Sequence, residues 1–556
     1  MGNSDENRVA IKDCCQLVED FSALCLNQNF SDITLILDGE NIYAHKVILA
    51  ARSKYFEALL YDGGQEIKQT EITITDASPG PFRKLLKYIY TGTVTLEPSD
   101  MSFTLELLGL SHRFSMKHLA SVFVEKLKTM LDLKNICSIL NSANLYDLKE
   151  LRDACHVFMD KHTSEVLAND CFSDLTQISM IKLLQRDSFF APEIEIFKSV
   201  AKWCKTNNDI DDLVVQCVRL SWLTVVEIVS IVWPSKLVNS ENLLQAIAEI
   251  VEVKPKLSCC RAKLLTDVNV VKAEYKSQVI FGSKTTFLLT GNRNVDKYAE
   301  CAIGDKNGFT IKLGFPVFLN HVNMRLWDND GRYYSYYVEV SIDQKKWKKI
   351  VDYSQYACRS HQELYFDKQI VQYVRIVGTH NTANPAFHLI FVEAYFKSKI
   401  PRVVNGILCP TTNVATKDKK AVVVEGINPA ALLDGVTTNY GNFTSHNIGS
   451  GSIVVQLAQP YMISSVKLLL WDQDTRAYKY YIETSVNKSD WTVVADHKNE
   501  ASKSWQTLRF TERPVVFIRI TGTDNTANKV GCVYVVELFL LFFLIEFSLP
   551  PLRMPC

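Results

Sequence analysis

The 556-residue sequence lacks the short motifs that mark most enzyme active sites. It contains no Gly-x-Ser-x-Gly, no glycine-rich loop of the kind that holds phosphate, and no His-Glu-x-x-His. His45, His112 and His118 are scattered along the first part of the chain, and a single histidine on a helix is usually a core or surface residue. We therefore expect a protein that is not an enzyme and that uses no cofactor.

The sequence also lacks an excess of charge of either sign. Its 61 basic residues balance 61 acidic residues, which gives no electrostatic reason to expect nucleic acid or an anionic membrane as a partner. The 15 cysteines show neither Cys-x-x-Cys nor a cysteine and histidine spacing suited to zinc. We expect reduced, buried thiols, no bound metal and no nucleic-acid partner.

Long apolar runs are scarce. Leu538–Ile545 is wholly apolar but has only eight residues between Glu537 and Glu546, whereas a spanning helix needs about 20. We expect a last strand followed by an atypical apolar tail at 541–556, without membrane contact. The first residues, MGNSDENRVAIKDCCQLVEDF, lack the basic and apolar regions of a signal peptide. We therefore expect a cytoplasmic location.

What the sequence does have is an internal duplication. The stretch WDNDGRYYSYYVEVSIDQKKW at Trp327 returns as WDQDTRAYKYYIETSVNKSDW at Trp471, 144 positions later. Without any gap, 27 of the 67 residues in 327–393 are identical to their counterparts, where unrelated sequences would share roughly 4. The copies are domain-sized, and alternation such as YYVEVSI and YVRIVGT predicts two successive β-sandwiches.

Polar motifs inside the repeats allow a structural and a binding interpretation. WDNDGR and WDQDTR could bind a cation or sugar hydroxyls. A turn in which the arginine pairs with an aspartate, while the tryptophan fills the core, is the interpretation we favour. Arg375 and Arg519 lie within strands between apolar neighbours, so we expect ion pairs with Glu339 and Glu483.

The loops THNTANP and TDNTANK are the best candidates for ligand contact, because the ends of a sandwich commonly carry function. Tight turns alone would require the same asparagines, and both interpretations stay open. The candidate ligand residues are Asn381, Thr382, Asn384, Asn525, Thr526 and Asn528.

The first part of the chain reads as a small α/β domain. A hairpin joins Ile33–Leu37 to Ile42–Ala44 through Asp38-Gly39. One helix is predicted through Val47–Leu59 from its apolar spacing. The remaining predicted elements are strands at 71–75 and 93–96 and helices near 82–90, 101–112 and 116–131.

From Leu133 to about residue 250 the sequence predicts amphipathic helices and no strand. One of these helices starts near Pro192, with Asn207 suited to its end. On composition, 251–275 and 398–420 are predicted to be linkers.

These segments resemble known families. SDITLILDGENIYAHKVILAARSKYFEALL and ITDASPGPFRKLLKYIYTGTV resemble a BTB/POZ domain, whereas ICSILNSANLYDLKELRDACHVFMDKH and LLQRDSFFAPEIEIFKSVAKW resemble the BACK helical domain. The repeats resemble discoidin, or coagulation-factor type C, sandwiches. The resemblance implies a multidomain chain with an α/β BTB/POZ domain at 15–131, an all-α BACK domain at 132–250, and all-β discoidin-like sandwiches at 275–398 and 421–540.

The resemblance also implies partners. BTB domains of this kind form homodimers, with Asp32 and Lys46 at the positions of a charged pocket. BTB–BACK proteins are commonly substrate adaptors of cullin-3 ubiquitin ligases, so we expect cullin-3, a second copy of the chain and an unidentified target protein as partners. The residues that the resemblance assigns to the cullin contact are Tyr55, Phe56, Leu59, Gln65 and Ile67.

One departure weakens the expected cullin contact. Such domains show an apolar residue, any residue and then Glu after the glycine-rich turn, where this chain has Gln65-Glu66-Ile67. Losing one apolar contact residue would weaken cullin binding by about 1–2 kcal/mol. Two alternatives therefore stay open: a dimeric scaffold without ligase recruitment, and membrane or glycan binding through the discoidin-like loops.

Overall fold

The structure is a computed structural model that describes residues 14–62, 65–66, 68–95, 101–207, 212–251, 260–291, 296–436 and 443–539. The chain divides into two compact units, Met1–Arg261 and Ala262–Cys556. Ile67 and the predicted tail at 541–556 lie outside the described residues. No helix in the described part of the chain is both long enough and apolar enough to cross a membrane.

A two-residue turn sets the register of the first sheet. Asp38 and Gly39 have φ values of 46° and 80°, and this left-handed pair suits a tight hairpin. It joins β1 (Ile33–Leu37) to β2 (Glu40–Ala44), while β5 (Glu71–Thr73) pairs with β1 in parallel. The predicted hairpin is confirmed.

The helices and strands of this α/β part contribute side chains to one apolar core. The helices are α1 (Cys14–Leu24), α2 (Lys46–Arg52), α3 (Lys54–Leu60), α4 (Pro79–Thr91), α5 (Met101–Arg113) and α6 (Lys117–Thr129), and the short strands β3 (Tyr61–Asp62) and β4 (Gln65–Glu66) pair with each other.

The single helix predicted through Val47–Leu59 is wrong, because the chain breaks at Ser53. Ser53 is extended, with φ −137° and ψ 119°. Its hydroxyl donates to the carbonyl of Phe114 at 2.6 Å and accepts from the amide of Phe56 at 3.3 Å, so it caps α3. The strand predicted at 93–96 is also absent from its described residues, 93–95.

The described residues from 132 to 251 contain helices and no strand, as predicted. The helices are α7 (Ile136–Leu145), α8 (Lys149–Lys161), α9 (Thr163–Ala168), α10 (Gln177–Leu184), α11 (Glu193–Thr206), α12 (Asp212–Val215), α13 (Val225–Glu227), α14 (Trp233–Ser235) and α15 (Ser240–Val251), with 3₁₀ turns at Asp170–Asp174 and Leu220–Trp222 and a π-helical turn at Ile228–Val232. Pro192 caps α11, which ends before Asn207.

Neither predicted linker is a linker throughout. Arg261 is buried and forms a 2.9 Å ion pair with Glu193, which places it within the helical unit. Val270 and Val271 belong to the core of the first sandwich. The segment 398–420 contains the short strands β13 (Val403–Val404) and β14 (Ile407–Leu408) and supplies core residues to both sandwiches.

The duplication is repeated strand by strand. In the first sandwich the strands are β6 (Gln278–Phe281), β7 (Ala299–Ala302), β8 (Phe309–Leu326), β9 (Tyr334–Ser341), β10 (Lys348–Cys358), β11 (His361–Asn381) and β12 (Ala386–Tyr395). In the second they are β15 (Val422–Glu425), β16 (Thr444–Asn447), β17 (Ile453–Leu470), β18 (Tyr478–Ser485), β19 (Thr492–Ser502), β20 (Trp505–Asn525) and β21 (Val530–Phe539). All of these pairs except β7 and β16 begin and end at the 144-residue offset.

The two sandwiches contact each other directly within their unit. The Gln459 amide accepts a hydrogen bond from the Glu363 backbone N–H at 2.6 Å and donates to the Glu363 carbonyl at 3.1 Å. The Gln362 amide donates to the carbonyl of Ala458 at 2.9 Å. A separate apolar cluster spans the same junction and consists of Ala357, Val454, Val516 and Phe517. Hydrogen bonds and apolar packing therefore both join the two sandwiches.

Candidate functional site

The structure brings the predicted charged pair together at the start of the α/β domain. Asp32 precedes β1, and Lys46 is the first residue of α2. The Asp32 carboxylate accepts a hydrogen bond from the backbone N–H of Lys46 at 2.8 Å, and the Asp32 N–H donates to Ala44 at 3.3 Å. The Asp32 side chain is exposed, whereas Lys46 is buried. The Asp32 carboxylate therefore contacts the backbone of Lys46.

An exposed apolar groove lies on the helices next to this pair. Leu17 of α1 is 57% exposed and Val47 of α2 is 65% exposed, although both are large apolar residues. The groove has a volume of about 480 Å³. Its lining residues are Leu17, Val18, Phe21, Val47, Ile48, Ala51, Arg52, Ile89, Tyr90, Thr91 and Gly92. We call this surface the apolar groove.

The sequence did not indicate the apolar groove, because helical periodicity assigns Val47 to the apolar stripe of its helix. In the structure α2 turns Leu49 toward the core and leaves Val47 in solvent. The signal that could have found the groove is the apolar pair Leu17-Val18 in the first helix, read together with Val47.

The predicted cullin-contact residues divide between surface and core. Tyr55 and Leu59 are partly exposed on α3. Phe56 has no exposed surface and stacks on Phe114 with ring centroids 5.1 Å apart. The prediction that Phe56 touches a partner conflicts with this burial, because the side chain is enclosed by its own domain.

The stretch that departs from the family pattern follows α3. Gln65 lies in β4, whose backbone pairs with Asp62 of β3. Ile67 lies outside the described residues. Both stay predicted contact residues, and the structure places the Gln65 backbone in the short hairpin after Leu60.

At the end of each sandwich, an arginine is held by its neighbouring aspartate. Arg332 pairs with Asp330 and lies 4.5 Å from the ring centroid of Trp327. The hydrogen bond from Arg332 holds the pKa of the Asp330 carboxyl below its usual value. The favoured pairing is confirmed, but the tryptophan does not fill the core: Trp327 is half-buried beneath the arginine.

The second sandwich repeats this arrangement. Arg476 pairs with Asp474 at 2.7 Å and lies 4.0 Å from the ring centroid of Trp471. The hydrogen bond from Arg476 lowers the pKa of Asp474 to about 2. Because these carboxylates already have cationic partners, they are poor candidates for cation binding.

The mid-strand ion pairs are present in both copies. Arg375 bonds Glu339 at 2.6 Å, and Arg519 bonds Glu483 at 2.6 Å. Each guanidinium also stacks on a tryptophan, with Arg375 3.8 Å from the ring centroid of Trp347. The predicted structural ion pairs are confirmed.

The asparagines of the candidate ligand loops bond within their own turns. Asn381 donates to Asn384 at 2.8 Å and to the carbonyl of Ala386 at 2.6 Å, while it accepts from Ala383. The hydroxyl of Thr382 accepts from the N–H of Tyr333 at 3.1 Å.

The second loop has the same bonds. Asn525 donates to Asn528 at 2.7 Å and to Val530 at 2.6 Å, and Thr526 accepts from Ala477 at 2.9 Å. These contacts favour the tight-turn interpretation for both asparagines. Ligand contact through the loops stays a prediction.

The turn interpretation predicts a stability loss. Asn525→Ala should lower the free energy of unfolding by roughly 1–3 kcal/mol, because it removes the hydrogen bonds that Asn525 forms with the carbonyl of Val530 and the N–H of Ala527. Urea denaturation of the full chain measures the change. Lys529→Ala, an exposed substitution in the same loop, is the control, and equal stability of the two variants would contradict the interpretation.

Comparisons with known proteins agree with this architecture. The BTB/POZ domain family matches residues 21–131, the BTB And C-terminal Kelch family matches 136–233, and the F5/8 type C domain family matches 278–391 and 417–536. The predicted fold class of BTB, helical BACK and two discoidin-like sandwiches is thereby confirmed. This domain content is that of BTB adaptor or binding proteins.

Several known proteins match most of the chain. BTB/POZ domain-containing protein 9 of Bos taurus is 42% identical over 532 residues, which cover 93% of this chain and 87% of that protein. The Homo sapiens protein of that name is 41% identical, with the same coverage. The Drosophila melanogaster protein is 41% identical over 528 residues, 93% of this chain and 73% of that protein. The chain therefore belongs to the BTB/POZ domain-containing protein 9 family.

Proposed function

We propose that the protein is a dimeric substrate-recognition adaptor of a cullin-3 ubiquitin ligase that acts in the cytoplasm. The BTB domain dimerises and binds cullin-3, and the discoidin-like pair captures a target protein. The observation that carries the proposal is the apolar groove next to Asp32 and Lys46, on a BTB domain that a BACK domain follows.

A second copy of the chain is the occupant that best fits the apolar groove. Exposed apolar side chains such as Leu17 and Val47 cost free energy in water, and burial returns about 25 cal/mol for each Å² covered. In an isologous dimer the groove of each copy is buried, and the two grooves meet at one symmetry axis.

The cullin contact uses the exposed side of α3. Tyr55 packs edge-on against Phe114 at 5.0 Å, so its ring is held in place while part of it stays in solvent. Leu59 lies one helical turn further along α3 and is also partly exposed. A rigid aromatic residue beside an aliphatic one is the kind of anchor that dominates binding energy at protein interfaces.

Dimerisation compensates for the cullin-3 affinity that is lost because Gln65–Ile67 differs from the family pattern. Two weak cullin sites and two target-binding halves in one assembly raise the effective concentration of each second contact. The direct contact between the discoidin-like sandwiches gives each half a single recognition body.

Binding of the N-terminal domain of cullin-3 to the full chain tests the proposal. The double variant Tyr55→Ala/Leu59→Ala is expected to weaken binding about thirtyfold to several hundredfold, at roughly 1–2 kcal/mol for each of the two lost contact residues. Ile178→Ala, which removes an exposed aliphatic side chain of α10, should bind like the wild type.

Interferometry with immobilised full-length protein gives the affinities, and thermal melts confirm that the variants are folded. Absence of binding by the wild-type protein would overturn the ligase role and leave a dimeric scaffold. Equal binding by the wild type and the double variant would overturn the assignment of the contact to α3.

A further inference from the structure

Two thiols of the BACK domain lie against each other. Cys137 is in the first turn of α7, and Cys171 is in the 3₁₀ turn Asp170–Asp174. Their sulfur atoms are 3.2 Å apart, and both cysteines are free. They are 34 residues apart in sequence, so the fold alone brings them together.

The segments around the two sulfurs are fixed to each other by side-chain bonds. The amide of Asn141, one turn along α7, donates to the carbonyl of Asp174 at 2.8 Å and accepts from the N–H of Thr176 at 3.0 Å. The indole N–H of Trp203 in α11 donates to the carbonyl of Leu175 at 2.8 Å. The approach of the thiols is therefore built into the packing of the domain.

The two thiols differ in access and in acidity. Cys137 is 0% exposed and Cys171 is 9% exposed. The hydrogen bond from Cys137 lowers the pKa of the Cys171 thiol, and the same bond together with burial raises the pKa of Cys137. Cys171 is thus the sulfur that a small oxidant reaches first, and it is the better thiolate.

We propose that Cys137 and Cys171 are a reversible disulfide site that a small disulfide oxidant, such as oxidised glutathione, converts from dithiol to disulfide. The Cys171 thiolate attacks one sulfur of the oxidant, breaks its S–S bond and releases one glutathione thiolate. The Cys137 sulfur then attacks Sγ of Cys171 and releases the second glutathione thiolate, which takes up the proton of Cys137. Two protein thiols are oxidised, and one glutathione disulfide is reduced to two glutathione thiols.

Little rearrangement is needed to form this bond. A disulfide has an S–S distance of about 2.05 Å, so the sulfurs must approach by about 1 Å. The bond would tie the first helix of the BACK domain to the turn that contacts α11 through Trp203. Oxidation should therefore raise the melting temperature of the domain, because the crosslink restricts the unfolded chain.

Peptide mapping of the full-length protein tests the proposal. The protein is equilibrated with mixtures of reduced and oxidised glutathione, its free thiols are alkylated, and it is cleaved with trypsin. Cys137 and Cys171 then lie in separate peptides, 135–149 and 162–182, each with one cysteine. We expect a crosslinked pair of these peptides, which dithiothreitol separates. Two alkylated peptides, or glutathione on Cys171 without a crosslink, would overturn the proposal.

Variants test the order of attack. Cys137→Ser should leave glutathione trapped on Cys171, and Cys171→Ser should leave Cys137 without glutathione. Cys204→Ser, which removes another buried thiol of the same domain, should form the crosslink like the wild type. Glutathione on Cys137 in the Cys171→Ser variant would contradict the mechanism. The wild-type map decides the proposal if a variant fails to fold.

Discussion

Val47→Asp is expected to turn the proposed dimer into a folded monomer. The side chain is 65% exposed in the single chain, so the substitution should change the stability of the monomer by no more than about 0.5 kcal/mol. In an isologous dimer two such carboxylates would be buried near the symmetry axis, and an uncompensated buried charge costs roughly 3–5 kcal/mol. Sedimentation velocity at micromolar concentration should show a single species of monomer mass.

Val122→Asp provides a matched control for this result. Val122 is 49% exposed on α6 and does not line the apolar groove. The control should stay dimeric with the same helix content. A dimeric Val47→Asp variant, or equal dissociation of both variants, would show that the apolar groove is not the dimer interface.

Restoring the family pattern after α3 is expected to strengthen cullin binding. Gln65→Met combined with Ile67→Glu gives the apolar residue and the acid that the chain lacks. The affinity for the N-terminal domain of cullin-3 should rise about tenfold or more, which corresponds to the roughly 1–2 kcal/mol assigned to one anchor contact. Interferometry with the full chain measures this gain.

The acid and the apolar anchor can be separated in the same experiment. Gln65→Met with Ile67→Gln supplies the anchor alone, and its affinity should fall between those of the wild type and the restored variant. An unchanged affinity in the restored variant would show that this stretch does not limit binding. The cullin contact would then have to be sought elsewhere on the unit Met1–Arg261.

Local signals in the sequence were sufficient to predict the first hairpin and the duplicated sandwiches. The hairpin follows from alternating apolar residues around Asp38-Gly39, and these two residues adopt the left-handed conformations that such a turn needs. The duplication could be recognised without gaps because corresponding strands of the two copies, such as β8 and β17, have the same length and the same spacing. Period-two alternation and a constant offset are local properties, so they need no knowledge of the fold.

The errors lie where a distant partner decides the local structure. Ser53 ends one helix and begins the next because its hydroxyl reaches the carbonyl of Phe114, 61 residues away. Arg261 looks like part of a linker until Glu193 and the carbonyl of Leu184 are placed around its guanidinium. Periodicity and composition carry no information about such partners.

The sequence predicted only part of the candidate site. Asp32 and Lys46 are recognisable from the family pattern, and the structure brings them into contact. The apolar groove was not predictable, because the exposure of Val47 depends on which side of α2 faces the core. In the sandwich loops the sequence left two interpretations of Asn381 and Asn525, and the hydrogen bonds within the turns favour the tight-turn interpretation.

The contact between the sandwiches distinguishes the two copies of the repeat. Gln459, which binds the Glu363 backbone across the junction, has Phe315 as its counterpart in the first copy. Because the junction uses residues that differ between the repeats, each copy has its own place in the pair.

The most direct test of a dimeric cullin-3 adaptor is the mass of the species that it forms with cullin-3. Full-length protein is mixed with an excess of the N-terminal domain of cullin-3, and the products are separated by size-exclusion chromatography with light scattering. We expect one species that contains two chains of 63.2 kDa and two cullin domains. A single 63.2 kDa chain that elutes apart from the cullin domain would contradict it.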